Sequence, residues 1–130
     1  MGAAENKELV EKMGQARSLE DMLAVMADDV SWTIIGTTKY SGKFSGKQEL
    51  VGKLFGPLTA ALASFGKTSI DNVIADDNCV AVQSHATDRM TKTGHPYNNT
   101  YCIVYRIADG KIQEVTEYCD TEMVTAAFGA

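Results

Sequence analysis

Hydrophobic residues in the first part of the chain recur at the spacing of amphipathic helices. Residues 5–14 are predicted to form a short helix. A second helix is predicted to start at the N-cap Ser18, which has Asp21 three residues on and is followed by an apolar stripe of Leu19, Met22, Leu23 and Met26. We expect Asp28 and Asp29 to end this helix.

A strand and a loop come next in the pattern. Residues 30–35 are rich in β-branched side chains and carry Trp32 on the same face as Ile34, which is typical of a strand. Residues 36–46 are rich in Gly, Ser, Thr and Lys, and we predict that they form a loop.

A third helix is predicted to begin at a capping box made of Ser45 and Gln48. Its apolar positions are Leu50, Val51, Leu54 and Phe55, and the pattern continues beyond Pro57 with Leu58 and Leu62. Proline at this place either opens a new first turn or kinks the helix.

From residue 67 onwards, the pattern changes to the alternation of strands. Four strands are predicted, over residues 68–75, 79–90, 97–107 and 111–119. The turns between them are short, so we expect antiparallel neighbours. Asp120 is suited to cap a last helix over residues 121–128. This order of helices and strands indicates an α+β domain.

A meander of this length has one large face that the helices must cover. If the sheet curls around the helices, it forms a cone whose closed end is hydrophobic core and whose mouth is a pocket. The Leu, Met and Phe residues of the predicted helices favour an apolar interior.

Length and composition narrow the class of protein. The chain has 130 residues, of which 45% are hydrophobic and 22% charged, so we expect one domain, residues 1–130, with a core of its own. No stretch is long and apolar enough to cross a bilayer, which argues against a membrane protein. The net charge of -5 and the lack of a Lys or Arg cluster argue against nucleic-acid binding.

The cysteine and histidine residues give no sign of a metal or disulfide framework. The three cysteines, Cys79, Cys102 and Cys119, are widely spaced and favour reduced thiols, and His85 and His95 are too far apart for a helical ligand pair. We therefore predict no metal and no other cofactor. The first residues do not resemble a signal peptide, so we expect a cytoplasmic protein.

Glu117 is the candidate for chemistry. On a strand it shares one face with Val115 and Cys119, while the residues between them point to the other face. In an apolar pocket its pKa would rise, so that it exchanges protons near neutral pH. The alternative is a structural carboxylate bonded to Tyr or backbone groups. For Asp120 a helix cap is favoured over catalysis, and for Asp88 a solvated charge is favoured.

Short motifs in the order of these elements resemble the nuclear transport factor 2-like superfamily, and within it the SnoaL-like polyketide cyclases and ketosteroid isomerase-related proteins. The motifs are Val30-Ser31-Trp32, Gly46 at the start of a helix, Gly94-His95-Pro96-Tyr97-Asn98, Asp109-Gly110-Lys111-Ile112 and Glu117-Tyr118-Cys119-Asp120-Thr121. The resemblance implies a cone-shaped, curved, mostly antiparallel sheet wrapped around helices. It also implies a pocket between sheet and helices, and frequent dimerisation through the outer sheet face.

The catalytic patterns of the family carry over only in part. The chain distantly resembles limonene-epoxide hydrolase, whose second catalytic aspartate would fall at Glu117, but whose Arg and Asp pair would fall near Ser84 and Ala86. The groups that hold its hydrolytic water would fall near Trp32 and Ile34. In ketosteroid isomerases the general base lies on the first strand after the helices. This chain has Trp32, Thr33 and Ile34 there, and none of them is a carboxylate.

These arguments define a predicted site and three functional hypotheses. We expect Glu117 as the catalytic group in a pocket lined by Trp32, Ile34, Leu54, Leu58, Ser84, Asn99, Tyr101 and Val115, with Tyr101 or Asn99 orienting a carbonyl. The first hypothesis is proton transfer on a small apolar molecule, an isomerisation, cyclisation or hydration. The second is ligand binding without turnover, and the third is a structural dimerisation module. We also expect a homodimer through an outer sheet face that presents Cys102, Val104, Ile112, Thr116 and Tyr118.

Overall fold

The computed structural model describes residues 2–130. Its helices are α1 (Ala3–Gly14), α2 (Leu19–Ala24), α3 (Lys47–Glu49), α4 (Gly56–Ala61) and α5 (Thr121–Phe128), with a π-helical stretch, Leu50–Phe55, between α3 and α4. Its strands are β1 (Met26–Ile34), β2 (Gly42–Ser45), β3 (Leu62–Ser64), β4 (Lys67–Ala75), β5 (Cys79–Thr87), β6 (Met90–Thr91), β7 (Thr100–Ala108) and β8 (Lys111–Cys119).

Six of these strands form one sheet in the order β2-β1-β8-β7-β5-β4, and β3 pairs with β6 in a small second sheet. Neighbours in the large sheet are antiparallel except β1 and β8, which run parallel. The prediction of an α+β cone with a mostly antiparallel sheet is thereby confirmed. The hairpin between β7 and β8 turns at Asp109 and Gly110, both with positive φ, as a tight two-residue turn requires.

The hydrophobic core lies on the face of the large sheet that packs against α1 and the π-helical stretch, which we call the inner face. Strand residues that contribute to it are Val30, Trp32, Val80, Val82, Tyr105 and Val115. The helices add Val10, Met13, Leu50 and Leu54. A smaller cluster under α5 contains Tyr97, Val124 and Ala127.

The two predicted helix caps at Ser18 and Asp120 are present. Ser18 Oγ accepts a hydrogen bond from the Asp21 N–H at 3.1 Å, and Asp120 Oδ1 accepts from the N–H of Glu122 and of Met123. Each cap satisfies backbone donors of a first helical turn. Both are local interactions, which explains why sequence spacing was sufficient to predict them.

The predicted end of α2 at Asp28 and Asp29 is wrong. The helix ends at Ala24, and Met26 is already the first residue of β1. Met26 pairs with Ile112 of β8, and the Ile112 N–H donates to the Val25 carbonyl at 3.0 Å. This long-range pairing buries Met26 and overrides the helical spacing of the local sequence.

The segment predicted as a loop, residues 36–46, contains the strand β2, which pairs with β1 so that Phe44 lies opposite Trp32. The capping box is also absent. Gly46 is the N-cap of α3, and the Glu49 carboxylate accepts from the Ser45 N–H at 3.2 Å. Edge pairing with β1 thus orders a segment whose composition alone favours a loop.

Pro57 opens a new first turn, one of the two outcomes that the sequence left open. Its missing N–H is tolerated in the first turn of α4. Just before it, the Gly56 N–H donates to the carbonyl of Val51, five residues back, as in a π-helix. The wider turn keeps Leu50 and Leu54 fully buried.

A β-bulge in β8 corrects one predicted side-chain direction. Arg106 pairs with Glu114 but Ile107 pairs with Ile112, so Gln113 is an extra residue in β8. Because of the bulge, the residues of β8 before Gln113 point to the opposite face from the one that strict alternation predicts. Ile112 therefore lies in the core, fully buried. The prediction that Ile112 lies on the outer face is therefore wrong.

Asn6 ties α1 to the turn between β4 and β5. Its side-chain amide donates to the carbonyls of Asp76 and Asp77, each at 3.0 Å, and the residue is fully buried. Since α1 covers the inner face of β4 and β5, this contact fixes one wall of the cone.

We predict that Asn6→Ala lowers the free energy of unfolding by about 2 kcal/mol, because two carbonyls lose a buried donor. Chemical denaturation monitored by circular dichroism measures the change. Glu8→Ala, at an exposed position of the same helix, is the control and should change stability little. Equal effects of the two substitutions would contradict the role given to Asn6.

Candidate functional site

Glu117 lies on the inner face in the middle of the sheet. It is the register partner of Ile34 in β1 and of Ile103 in β7. Val115 on the same face is fully buried, whereas Glu117 keeps partial access to solvent. The carboxyl group is therefore surrounded by apolar strand residues without being sealed off.

Burial raises the pKa of Glu117 to about 7. Two neighbours oppose this effect by stabilising the carboxylate: the indole N–H of Trp32 and, by its charge, Arg89. Desolvation outweighs both. A carboxyl group with this pKa is present in both protonation states near neutral pH, which is what a general acid or base requires.

The indole N–H of Trp32 has a special position in the site. Trp32 is 5% exposed, and its ring packs edge-on against Phe55 at 5.2 Å between centroids. Although the indole stabilises the charge on Glu117, Nε1 forms no hydrogen bond of good geometry within residues 2–130. A buried donor without such a bond is costly, so a ligand atom or water beside Glu117 would stabilise it.

Three tyrosines, Tyr97, Tyr101 and Tyr105, surround the carboxyl group electrostatically. Burial raises the pKa of each, and the charge of Glu117 raises each pKa further. All three are therefore neutral phenols near neutral pH and are able to donate hydrogen bonds. Cys119, also on the inner face, has a pKa raised to about 11, first by burial and then by the charges of Glu117 and Asp120.

A cavity of about 110 Å³ lies between α1 and the inner face of β4, β5 and β7. Its lining is mostly apolar, with Val10, Met13, Ile70, Val73, Val82, Ile103 and Tyr105 together with Lys7, Glu11, Gly14, Thr68 and Ser84. Of the predicted lining residues, Ser84 is part of this wall. Glu117 lies next to the wall through its register partner Ile103.

The other predicted lining residues lie elsewhere on the inner side. Four of them, Trp32, Ile34, Leu54 and Val115, are buried members of the main core. Leu58 lies half-buried on α4, and Tyr101 lies half-buried on β7 beside Ser84. The structure therefore brings Glu117, Trp32 and Tyr101 to one side of the sheet, and it uses the other apolar residues as packing around them.

Asn99 has a structural role in place of the predicted carbonyl contact. Its amide donates to the Tyr97 hydroxyl and to the Asp120 carbonyl, both at 3.1 Å. Its Oδ1 accepts from the N–H of Thr100 at 2.7 Å and of Asp120 at 3.0 Å. Two donors and two acceptor sites are all that an asparagine side chain offers. Asn99 has no capacity left for a ligand.

Arg89 is the residue of this site that the sequence analysis missed. Its Nε donates to the Phe65 carbonyl at 2.8 Å, and its two other nitrogens donate to Thr68 Oγ1 at 3.0 Å and to the Tyr101 hydroxyl at 3.3 Å. The only signal in the sequence is an isolated arginine near the end of the predicted strand 79–90 of an acidic protein. Nothing local indicates that its side chain turns inward.

The remaining charged candidates lie away from the cavity. Asp88 is exposed, and its backbone has a positive φ of 56°. His85 lies on the opposite, outer face of the sheet, where its Nδ1 is 2.8 Å from Asp71 Oδ2. Neither residue faces Glu117.

Two negative findings apply to residues 2–130. No group of three or more His, Cys, Asp or Glu side chains is arranged to hold a metal ion. None of the helices in this range is both long and apolar enough to cross a membrane.

Comparison with known proteins supplies the family. A family model described as a SnoaL-like domain matches residues 7–115, and no curated protein matches the chain. A nuclear transport factor 2-like protein of unknown function from Burkholderia pseudomallei K96243 has a similar structure, with a TM-score of 0.84, 20% identity and coverage of 97% of this chain and 98% of that one.

Two further solved structures have names that bear on function. A putative isomerase from Rhodopseudomonas palustris is 14% identical with a TM-score of 0.77, and covers 97% of each chain. TerC, co-crystallised with polyporic acid, is 19% identical with a TM-score of 0.78, and covers 97% of this chain and 99% of its own. At these identities the likeness is one of fold.

Gly66 allows the close packing beside Arg89. It has a positive φ of 57°, and a Cβ atom there would lie 2.0 Å from the Thr87 carbonyl oxygen. We predict that Gly66→Ala costs at least about 2 kcal/mol of stability, since backbone must move. Gly94→Ala is a matched control, because Gly94 also has a positive φ but nothing within 4 Å of the added atom.

Thermal and denaturant unfolding of both glycine variants measures the difference. The Gly94 variant should lose about 1 kcal/mol, the cost of the backbone conformation alone. Similar losses in the two variants would show that the turn at Gly66 is free to move.

Proposed function

The chain belongs to the SnoaL-like domain family, and on that basis we propose that it binds a small, mostly apolar molecule inside the cone and transfers a proton on it through Glu117. The reaction class is an isomerisation, cyclisation or hydration. The observation that carries this proposal is an inner-face carboxyl group whose pKa burial raises to about 7.

The groups around Glu117 support proton transfer. The carboxylate form takes a proton from a ligand atom, and the acid form returns it to another atom. The Trp32 N–H and the Tyr101 hydroxyl are neutral donors on the same side of the sheet, suited to an oxygen on which negative charge develops. The neighbour called a putative isomerase agrees with this class of chemistry, and TerC, co-crystallised with polyporic acid, agrees with the binding of a small organic molecule.

Ligand binding without turnover is the second candidate. It is favoured by Asn99, whose hydrogen-bonding capacity is used within the fold. It is also favoured by Ser84 and Ala86, which stand near the positions where the hydrolase that the sequence distantly resembles would have an Arg and Asp pair. In this case Glu117 would only hydrogen-bond the ligand.

The pH dependence of stability tests the state of Glu117. Its folded-state pKa is about 7 and its ordinary value is 4.5. Its contribution to stability is thus fully present below about pH 4.5 and is lost as the pH rises through about 7. We predict that the wild type loses about 3 kcal/mol relative to Glu117→Gln over this window.

Glu114→Gln is the control on the outer face of the same strand, where pairing with Arg106 lowers the pKa of the carboxyl group. It should not reproduce the trend. Carboxyl-carbon NMR of Glu117 gives the pKa directly. A normal or lowered value, together with strong destabilisation of Glu117→Gln, would identify Glu117 as a structural anchor and end the catalytic proposal.

We further propose that the chain forms a homodimer through the outer face of the sheet. Ile74 is 62% exposed and Tyr118 46% exposed on this face, next to the half-buried Cys102 and Val104. Apolar residues grouped on a sheet face favour association. The third hypothesis, a dimerisation module, would rest on this surface alone.

Light scattering should give twice the 14.0 kDa mass of one chain for the wild type. Val104→Asp should give the single-chain mass, because a carboxylate would be buried without a partner. Glu8→Lys, at an exposed position of α1 on the other side of the sheet, changes charge away from the outer face and should leave the dimer intact. A wild-type mass of one chain at micromolar concentration would contradict the proposal.

We also propose a cytoplasmic location. Cys79, Cys102 and Cys119 are free thiols, which a reducing compartment preserves. Fractionation of the source cells tests this, and recovery from an oxidising compartment would contradict it.

A further inference from the structure

Within residues 2–130 the charge of Arg89 has no carboxylate partner in contact. Its guanidinium donates to three neutral oxygens, those of Phe65, Thr68 and Tyr101. The ion pairs within residues 2–130 are Lys7–Glu11, Lys47–Asp28, His85–Asp71 and Arg106–Glu114. Its charge also attracts the carboxylate of Glu117 from a distance. Because its hydrogen bonds go only to neutral groups, the guanidinium is able to take an anionic ligand in direct contact.

The guanidinium is not part of the cavity wall but is bonded to Thr68, which is part of it. Thr68 in β4 pairs with Ala86, and Tyr101 in β7 pairs with Ser84, both of β5. Since the guanidinium donates to both Thr68 and Tyr101, it spans β5 on the inner face of the sheet. Thr68 and Ser84 also line the cavity, so Arg89 stands beside its wall.

The surrounding turns hold Arg89 in place. The Arg89 N–H donates to Asn98 Oδ1 at 3.0 Å, and Ser64 Oγ donates to the Asp88 carbonyl at 3.0 Å. Gly66 packs against the same backbone with no room for a side chain. A charge fixed in advance loses less conformational entropy when it binds a ligand.

Two donors of the guanidinium remain for that ligand. Arginine has five N–H groups in a planar fork, and three of them make the bonds to Phe65, Thr68 and Tyr101. Carboxylate and phosphate oxygens both match this fork. The mostly apolar lining of the neighbouring cavity favours a carboxylate on a hydrocarbon body.

We propose that Arg89 binds the carboxylate of the ligand, and that the substrate class of this site is a small apolar carboxylic acid with its hydrocarbon part in the cavity. The inference rests on the proposed function, to which it adds the chemical class of the ligand. Arg89 here is a binding residue, and Glu117 keeps its role in proton transfer.

Other charged groups near the cavity set the conditions for binding. Lys7 and Glu11 also line it, but they face each other at 3.9 Å and largely cancel. The negative form of Glu117 opposes a second anion, and its protonated form does not. Binding should therefore be strongest below the pKa of Glu117, about 7.

Benzoate and benzamide are suitable probes, because they have nearly the same shape and differ in charge. An engineered apolar cavity of about 150 Å³ binds benzene. The cavity here is smaller, about 110 Å³, so a single ring is the largest aromatic group suited to it and the carboxyl or amide group must lie outside. Calorimetry at about pH 6 should show benzoate binding about tenfold more tightly than benzamide, as expected for a charge-assisted hydrogen bond.

Arg89→Gln should lower benzoate affinity about tenfold and change benzamide affinity less than about twofold. Lys7→Gln removes the other cation of the cavity and should keep the preference for benzoate. Arg89→Lys keeps the charge without the fork, and should lose at least about threefold in benzoate affinity. This variant decides the matter if Arg89→Gln does not fold.

The outcomes separate this inference from the proposed function. Equal binding of the two probes by the wild type overturns the role of Arg89 and leaves apolar ligand binding intact. A preference that persists in Arg89→Gln, or unchanged benzoate affinity in Arg89→Lys, also overturns it, as does a preference that disappears with Lys7→Gln. Failure of both probes to bind the wild type counts against the ligand class and against the cavity as a binding site.

Discussion

Parallel pairing between β1 and β8 joins the first and the last strand of the chain within the large sheet. It places Trp32 opposite Val115 and Ile34 opposite Glu117, although some 80 residues separate them in sequence. Parallel strands need a long connection, and here the rest of the fold is that connection. The indole N–H, the carboxyl group and the core beneath them depend on this one register.

The same pairing buries the Glu117 carboxyl group without enough neighbouring donors and positive charge to stabilise its charged form. Burial destabilises the charge on Glu117, and the Trp32 dipole and the Arg89 charge recover only part of the loss. A fully satisfied carboxylate would have a lower pKa and little use in proton exchange. The incomplete compensation is typical of functional sites, where local stability is given up for reactivity.

Local interactions were predictable from the sequence, and long-range ones were not. The caps at Ser18 and Asp120 and the span of β8 depend on residues within a few positions of each other, and the structure has them as predicted. The start of β1 depends on Ile112, which pairs with Met26 and donates its N–H to the Val25 carbonyl, and the local pattern around Met26 does not contain this partner. The pattern of alternation also failed at Gln113, because a bulge changes the parity without changing the composition.

The high pKa of the Cys119 thiol has a chemical consequence for the interior. With a pKa of about 11, almost none of this thiol is present as thiolate at neutral pH. The thiolate is the nucleophile that attacks peroxides and alkylating reagents, and the proton of Cys119 therefore protects the sulfur. A carboxyl group and a thiol lie on one strand face, and burial raises the pKa of both: it brings the carboxyl group to the neutral range and moves the thiol further from it.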